Sequence, residues 1–263
     1  MLDWLVSYKD WLTLGKTLTP HDVVAVAFLL GAWIGYTRFA IWHGRRVPSL
    51  QSVMDVLRHS WALRMVERDN RMVDVNIVRN LSRASQFFAS TTLLILGALI
   101  ALLGYVQRAA DVVADLPFAI QASERLWDIK ILLLVGIFVY AFFKFSWSIR
   151  QFGFCSMVVG AAPKPPQDAQ ECASEIANLS LIVSFASGNF NQGLRSYYFA
   201  MAALSWFLHP WLMMATTIWV VWVLYRREFH SRTLHVLSGG GIEIATTRES
   251  RRTWRQDFCK KGA

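Results

Sequence analysis

Cysteine is scarce in this 263-residue chain, and its spacing excludes the sites that cysteine usually builds. Cys155, Cys172 and Cys259 are odd in number and far apart, and none belongs to a C-x-x-C pair. This pattern supports neither a disulfide framework nor a thiolate metal site. Charged residues are also few, at 17%, against about 25% in soluble domains. Both shortages argue against an ordinary soluble or disulfide-stabilised domain.

Motifs of the common enzyme classes are missing as well. The chain has no HExxH, no G-x-S-x-G, no GxxxxGK[ST] and no Rossmann glycine pattern. Its six histidines are dispersed, and those inside apolar runs do not have haem-like or di-iron-like spacing. We therefore expect a protein that is not an enzyme and that has no catalytic residues, cofactor or metal site.

What the chain does have is long apolar runs, with 54% hydrophobic residues overall. The longest is 196–225, thirty residues without a charge that end at Arg226 and Arg227. A helix of this length would measure about 45 Å, against about 30 Å for the hydrocarbon core of a bilayer. Tyrosines stand near both ends, as in an interfacial belt. The run indicates a membrane protein.

The remaining runs predict an all-α, polytopic helical membrane protein with four or five transmembrane helices and amphipathic cytoplasmic helices. Spacings of three and four between Leu50, Met54, Leu57, Trp61 and Met65 predict one such amphipathic helix. The predicted parts are an interfacial segment at 1–20, a membrane domain at 21–225 with a cytoplasmic connection at 43–83, and a basic tail at 226–263. The predicted spans are about 21–42, 84–107, 131–149, 196–225 and, as a candidate fifth, 176–194.

Arginine placement decides the orientation and bears on the number of spans. The connection 43–83 carries eight arginines and is expected in the cytoplasm, which puts the N-terminus outside. With four spans, the tail and its nine Lys and Arg would lie outside, against the charge rule. A crossing by the polar segment 176–194 removes the conflict, and the alternative is a cytoplasmic amphipathic helix. The same rule and contact with anionic lipid account for the net charge of +9 and argue against nucleic-acid binding.

Several polar side chains at membrane depth are candidates for a pathway or polar cavity. For Lys144 the alternative is snorkelling to the interface, and for His209, beside Pro210, it is a structural kink with a hydrogen-bonded histidine. The stretch SGNFNQGLR is expected to be a polar turn that either binds an anion or simply connects two helices. The candidates are Lys144, Asn178, Ser184, Asn189, Asn191, Arg195 and His209.

Small residues mark candidate helix-packing faces. Gly31 and Gly35 form a GxxxG pattern in the first span, and Gly97, Ala101 and Gly104 lie along the second. Small side chains let helices approach closely in lipid, either within one chain or between two copies. We therefore expect packing within the chain, and a homo-oligomer as the alternative use of these faces. Pro210 is the position at which the longest run is expected to bend.

Three blocks carry a family resemblance: 84–96 (ASQFFASTTLLIL), 143–163 (FKFSWSIRQFGFCSMVVGAAP) and 190–229 (FNQGLRSYYFAMAALSWFLHPWLMMATTIWVVWVLYRREF). Together they resemble the bacterial and plant membrane-protein family called domain of unknown function 599, over roughly residues 20–230. The resemblance implies an integral membrane protein without an assigned activity. It supplies no catalytic residues.

Two functions remain open at this stage. The first is a small oligomeric channel or transporter-like protein, favoured by the polar segment 176–194 with Lys144 and His209. The second is a non-catalytic accessory or scaffold subunit that docks partners or anionic lipid through its basic cytoplasmic regions. In both cases we expect a multi-pass protein of the bacterial inner membrane, with an outer N-terminus and a cytoplasmic C-terminus. Its expected partners are the bilayer, further copies of itself and a cytoplasmic protein.

Overall fold

A computed structural model describes residues 19–44, 46–105, 123–162 and 169–239. These residues contain helices and no strand, which confirms the all-α class for this part of the chain. A short 3₁₀ segment occupies Ser205–Phe207. The α-helices are α1 Pro20–His43, α2 Leu50–Val66, α3 Met72–Leu103, α4 Glu124–Ala161, α5 Ala169–Leu204, α6 Pro210–Phe229 and α7 Arg232–Gly239.

Three of the described helices are long and apolar enough to cross a membrane: α1, α3 and the part of α4 from Arg125 to Ala161. This supports the membrane class. The number of spans, four or five, stays a prediction, as does the cytoplasmic position of α2. The N-terminal segment before residue 19, most of the acidic connection 108–128 and the tail after residue 239 lie outside the described residues.

Helix α5 does not reach the same mean hydropathy because it carries many polar residues, but apart from Asn178 the described polar residues of its 176–194 stretch are buried or half-buried. Ser180 and Ser187 are buried. Its exposed large side chains are apolar: Leu181, Phe185, Met201 and Leu204. Helix α6 likewise exposes Ile218, Trp219 and Trp222. Polar groups inside and apolar groups outside are the arrangement that a lipid environment requires.

The chain divides into two compact units. Unit 1 comprises Met1–Tyr36, Thr91–Ala141 and Leu194–Trp222, and unit 2 comprises Thr37–Ser90, Phe142–Gly193 and Val223–Ala263. The division falls inside α1, α3, α4, α5 and α6, so each of these helices contributes one segment to either unit. Helices α2 and α7 belong wholly to unit 2.

Unit 2 has a core to which four helices contribute. Helix α2 begins at a capping box in which Ser49 and Ser52 satisfy each other's backbone N–H groups. It buries Ala62, Met65 and Val66 against apolar residues of α3, α4 and α5. The amphipathic helix expected in the 43–83 connection is thus present, and its apolar face is covered by the rest of unit 2. Helix α7 packs against α2.

The polar turn expected at SGNFNQGLR is wrong. Helix α5 continues through this stretch to Leu204, and the run 196–225 is divided between two helices. The chain turns instead at residues 205–209, and α6 then starts at Pro210. Twenty residues give α6 a length of about 30 Å, which removes the excess length of the run. The bend expected at Pro210 within one helix is instead a break between two helices, since α5 ends at Leu204 and α6 begins at Pro210.

Other predicted spans are longer in the structure than their uncharged parts. A helical stretch from about residue 71 is expected from the sequence to continue into the span 84–107, and α3 does so, from Met72 to Leu103. Helix α4 extends beyond 131–149 in both directions. Charged residues at these ends, such as Arg79 and Arg83, are good helix formers, so the end of an apolar run is not the end of a helix. The three prolines of the stretch 160–170 predict a linker there. The helices shorten it, because α4 reaches Ala161 and α5 starts at Ala169. Residues 163–168 lie outside the described part.

Candidate functional site

Polar side chains from three helices meet in unit 2, where α5 faces α2 and α4. We call this group the polar cluster. It connects the helices through side-chain hydrogen bonds, which are described below. Its members are Gln51, Asp55 and Arg58 of α2, Lys144, Ser148 and Gln151 of α4, and Ser184, Asn189 and Asn191 of α5.

Asn189 links α5 to α4. Its amide nitrogen donates to Gln151 Oε1 at 2.8 Å and to the backbone carbonyl of Phe185 at 3.1 Å. Its amide oxygen accepts from Lys144 Nζ at 3.4 Å. The lysine of the predicted pathway therefore points to an amide of α5, which fixes its ammonium group inside unit 2. An ammonium group in an amide environment is suited to hold an anion or a dipole.

Helix α2 covers the other edge of the α5 polar stripe. Ser184 Oγ donates to Asp55 Oδ1 at 2.7 Å, and Asn191 Nδ2 donates to Gln51 Oε1 at 3.2 Å. Arg58 forms an ion pair with the same Asp55 oxygen at 2.6 Å. Burial lowers the pKa of Arg58 from its ordinary value, and the charge of Asp55 opposes this effect. The amphipathic helix thus supplies both a carboxylate and a guanidinium to the cluster.

Two buried serines extend the cluster toward α3. Ser148 Oγ donates to the backbone carbonyl of Ala186 at 2.8 Å and lies 3.0 Å from Ser85 Oγ. Both hydroxyl groups are completely buried. Because each has a partner, the burial does not leave an unsatisfied polar group. Three helices are therefore held together by one short hydrogen-bond chain.

An aromatic wall lies beside the cluster and depends on one glycine. The rings of Phe88, Phe145 and Phe190 pack with centroids 5.4–5.7 Å apart. Gly193 makes the close approach possible, because a Cβ atom there would lie 2.6 Å from the Phe145 ring. Gly193 belongs to the stretch that was predicted as a turn. Its role is to let α4 and α5 come close, and it does not bend the chain.

Among the predicted site residues, the structure brings Lys144, Ser184, Asn189 and Asn191 together. Asn178 is exposed at the start of α5 and takes no part in the described contacts of the cluster. Arg195 belongs to unit 1, where its guanidinium lies 5.5 Å from the centre of the Tyr36 ring. Four of the seven candidates thus share one site within unit 2.

His209 is also in unit 1 and caps a helix. Its Nδ1 atom accepts a hydrogen bond from the backbone N–H of Trp211 at 3.1 Å, and Pro210 occupies the first position of α6. A side-chain acceptor before proline is a standard helix start, because proline has no N–H to satisfy. The geometry is that of the alternative named above, a hydrogen-bonded histidine at a structural break.

Unit 1 contains a buried pair of charges that no sequence pattern predicted. Asp22, 3% exposed, accepts from Trp206 Nε1 at 2.8 Å and from the Thr19 hydroxyl at 2.6 Å. Lys130, 4% exposed, has its ammonium 5.4 Å from the Trp206 ring centre and 5.7 Å from that of Phe207. The spacing Thr19-x-x-Asp22 is a capping-box pattern and is the signal that could have revealed Asp22.

A second missed carboxylate, Asp74, connects α2 and α3 in unit 2. Its Oδ1 atom accepts from Trp61 Nε1 at 2.8 Å and from Arg68 at 2.5 Å. The side chain is completely buried, and Oδ2 has no hydrogen-bond partner in the described structure. The mixed charges around residue 70 gave no indication that one of them is buried.

The predicted helix-packing residues do not pack against other helices. A Cβ atom added at Gly31, Gly35 or Gly97 would meet nothing within 4 Å, and one at Gly104 would approach only Ala101 O of its own turn. Ala101 is exposed. The expectation of packing within the chain is therefore not met in the described residues. Self-association through these faces stays a prediction.

The described residues contain no group of three His, Cys, Asp or Glu that could hold a metal ion. Cys155, predicted to be unpaired, is free and buried in the core of unit 2. The polar cluster therefore offers amides, hydroxyls, an ammonium group and an ion pair. Groups of this kind recognise a ligand by hydrogen bonds and charge.

Comparison with known proteins identifies the family. No curated protein and no solved structure matched the chain. One family profile matches residues 24–233, which is most of the chain and includes every helix that contributes to the polar cluster. The resemblance inferred from the three sequence blocks is confirmed. The chain belongs to the family described as "Protein of unknown function, DUF599".

Proposed function

We propose that this protein is a small transporter-like or channel-like membrane protein and that the polar cluster is part of its solute path. One observation carries the proposal: polar side chains of α5 bond to α2 and α4, whereas its exposed large side chains are apolar. Polar residues inside a membrane-spanning helix are retained mainly at packing contacts or along water-filled paths. The combination of Lys144 with two asparagines and a glutamine favours a small anionic or strongly polar solute.

The proposal includes five crossings, by α1, α3, α4, α5 and α6. Each of these helices has one segment in either unit, with the direction alternating along the chain. Of the 16 Lys and Arg residues in the described part of the chain, 13 belong to unit 2. The positive-inside rule then places the unit 2 ends of the helices at the cytoplasmic side. This gives an outer N-terminus and a cytoplasmic C-terminus in a bacterial inner membrane.

Water access to the α5 stripe distinguishes a solute path from simple helix packing. Cys172 and Cys259 are first replaced by serine, and the buried Cys155 is kept as an internal control. Single cysteines are then placed at Ser184, Asn189 and Asn191, with Leu181 and Phe185 as matched lipid-facing controls on the same helix. Intact cells and inverted membrane vesicles are treated with a charged, membrane-impermeant thiol reagent, and labelling is measured by mass spectrometry.

The expected result is labelling at positions 184, 189 and 191 in inverted vesicles, with positions 155, 181 and 185 unlabelled. A small anion such as sulfate, added in excess, should slow the reaction at position 189 because this position contacts Lys144. Equal protection of all five α5 positions would refute a hydrated path. It would leave the polar side chains with a packing role alone.

A second function, docking of a cytoplasmic partner, is favoured by a separate observation on unit 2. Exposed arginines occur on α2, α3, α4, α6 and α7, and include Arg64, Arg150, Arg226 and Arg232. Such a surface suits an acidic protein partner. A pull-down in mild detergent should recover a partner whose binding weakens when Arg64 and Arg232 are replaced by glutamine. Recovery of homo-oligomers only would exclude the docking function.

Self-association completes the proposal. Gly31 and Gly35 lie one turn apart on an exposed part of α1, where an added Cβ would meet nothing in the described structure. Two copies could bring these faces together in the bilayer. Replacement of both glycines by isoleucine should then abolish disulfide cross-linking between copies that carry a cysteine at Ile34. Undiminished cross-linking would show that any oligomer uses another face.

A further inference from the structure

Helices α3 and α4 present two facing stripes of residues in unit 2 that enclose a groove. The lining residues of α3 and of α4 recur every three or four residues, with one adjacent pair on each helix, which means that each set occupies one helix face. The groove has a volume of about 420 Å³, within the usual range for ligand sites. Its lining is Val75, Arg79, Ser82, Arg83 and Gln86 of α3 with Ile149, Phe152, Gly153 and Ser156 of α4.

The groove is positively charged and includes no carboxylate among its lining residues. Arg79 and Arg83 are four residues apart, so both guanidinium groups lie on the same side of α3. Both are exposed, and neither forms an ion pair in the described structure. The hydroxyl of Ser82, between the two arginines in sequence, and the amide of Gln86, one turn after Arg83, add neutral hydrogen-bonding groups. Two guanidinium groups with neutral donors form a typical binding site for phosphate oxygens.

The space itself results from small residues on α4. A Cβ atom at Gly153 would meet nothing within 4 Å, and Ser156, one turn away, has only a hydroxymethyl group. Phe152 forms a buried part of the groove floor. A larger side chain at position 153 would therefore project into the groove and would not disturb a packed neighbour. The groove is therefore open because α4 has small residues, Gly153 and Ser156, at this point.

The surroundings of the groove identify which phosphate compound it fits. Arg83 is the last charged residue before the uncharged run 84–107, so the arginines stand at the border of the apolar part of α3. Phe87 and Met157 are 67% and 64% exposed next to the two stripes. A dissolved phosphate ion makes no favourable contact with exposed apolar side chains, whereas the acyl chains of a phospholipid can pack against them.

We propose that this groove binds the headgroup phosphate of an anionic phospholipid, with Arg79 and Arg83 as the ligands and Phe87 and Met157 beside the acyl chains. The site is separate from the polar cluster, and it does not depend on the proposed transport function. Lipid held here would be positioned by charge at the basic end of α3, where the surface potential of an anionic membrane is strongest.

The test uses the full-length protein in a neutral detergent, with bound lipid counted by native mass spectrometry during titration. Three probes separate the sources of phosphate: dioleoyl phosphatidylglycerol, dioleoyl phosphatidylcholine with the same acyl chains, and inorganic phosphate as a competitor. The variants are R79Q/R83Q, which removes the charges, and G153L, which fills the groove at constant charge. R46Q/R64Q removes the same charge from exposed positions of unit 2 outside the groove.

Phosphatidylglycerol should bind the unchanged protein more tightly than phosphatidylcholine. Because each basic residue near such a lipid contributes about a fivefold change in affinity, R79Q/R83Q should weaken binding about 30-fold. G153L should weaken it to a similar degree, and R46Q/R64Q should stay within about twofold of the unchanged protein, because its replaced charges lie outside the contact.

Three results would overturn the proposal. The first is phosphatidylglycerol affinity that is unchanged in R79Q/R83Q or in G153L. The second is an equal loss in R46Q/R64Q, which would indicate attraction to overall charge. The third is complete competition by millimolar inorganic phosphate, which would identify a site for free phosphate. Each outcome is read as a ratio of affinities, and correct folding of every variant is checked by its unfolding temperature without lipid.

Discussion

Units 1 and 2 bury polar side chains in different ways. In the described part of unit 1 the buried charges are Asp22 and Lys130, and both contact the same residue, Trp206. In unit 2 polar side chains instead run along whole helix faces, from Ser85 through Ser148 to the asparagines of α5. Unit 1 therefore has one charged centre around Trp206, whereas unit 2 combines one buried carboxylate, Asp74, with hydrogen bonds distributed over several helices.

The difference has a consequence for stability and for function. A single buried charge is expensive to expose or to leave unpaired, so changes at Asp22 should have large effects. A distributed network loses one bond at a time, and it can exchange a partner for water or solute. The exchangeable hydrogen bonds of unit 2 suit a solute path, and the buried charges of unit 1 suit a rigid support.

The largest effect is expected from Asp22→Ala in unit 1. The change removes the acceptor of Trp206 Nε1 and of Thr19. It also removes the carboxylate whose charge acts on Lys130. We expect a loss of about 3 kcal/mol in the free energy of unfolding, as for other broken buried charge contacts. Thermal unfolding in detergent measures it. Asp22→Asn, which keeps an oxygen acceptor, should lose less, and equal losses would show that the charge is unimportant.

Gly193→Ala should have the next largest effect and tests the aromatic wall of unit 2. The added methyl group would lie 2.6 Å from the Phe145 ring and would force α4 and α5 apart, at a cost of about 2 kcal/mol. Gly153→Ala on α4 is the matched control, since its Cβ meets nothing within 4 Å and alanine favours helix. Equal unfolding temperatures of the two variants would contradict the close packing of Gly193 against Phe145.

Ser148→Ala tests whether the network of unit 2 is distributed. The change removes one hydrogen bond to Ala186 O and one to Ser85, and we expect a loss of about 1 kcal/mol. Ser156→Ala, whose hydroxyl contacts only Phe152 O of its own helix, should be nearly neutral. A double-mutant cycle with Ser85→Ala measures the coupling. A loss as large as that of Asp22→Ala would contradict the comparison between the units.

The smallest effect concerns pH and His59 of α2. Burial lowers the pKa of His59 below its ordinary value, so the folded protein favours the neutral ring. The stabilisation is complete above the unfolded pKa of about 6.5 and is lost as pH falls through the lower folded value. His59→Gln should flatten the decline in unfolding temperature between neutral and mildly acidic pH. An identical decline in both proteins would exclude His59 as a contributor.

Much of the fold could be predicted because membrane helices are apolar over long stretches. The runs that became α1, α3 and α4 contain few charges, and the break at Pro210 follows from the missing N–H of proline. The length of α4 could not be predicted in this way, because an uncharged run marks only the part suited to lipid, and charged residues outside that run, such as Arg125 and Arg150, are good helix formers.

The polar stretch in α5 shows the limit of local sequence signals. Glycine and asparagine favour turns when their side chains bond to the neighbouring backbone. Here Asn189 and Asn191 bond to other helices, and Gly193 accommodates Phe145, so the chain stays helical. These partners are 38 to 140 residues away in sequence, and no local pattern contains them. For the same reason, the stripe was found but its partners Gln51, Asp55 and Gln151 were not.

The most direct test of the account is the side of the membrane on which the tail lies. If the arginine-rich connection 43–83 is cytoplasmic, the basic tail is cytoplasmic as well only when α5 crosses the membrane. Alkaline phosphatase and green fluorescent protein are fused separately after Lys261 of the full chain. Five crossings predict a fluorescent fusion and an inactive phosphatase, which place Lys261 in the cytoplasm. An active phosphatase with a dark fluorescent fusion would place it outside and would contradict the crossing of α5 on which the solute path depends.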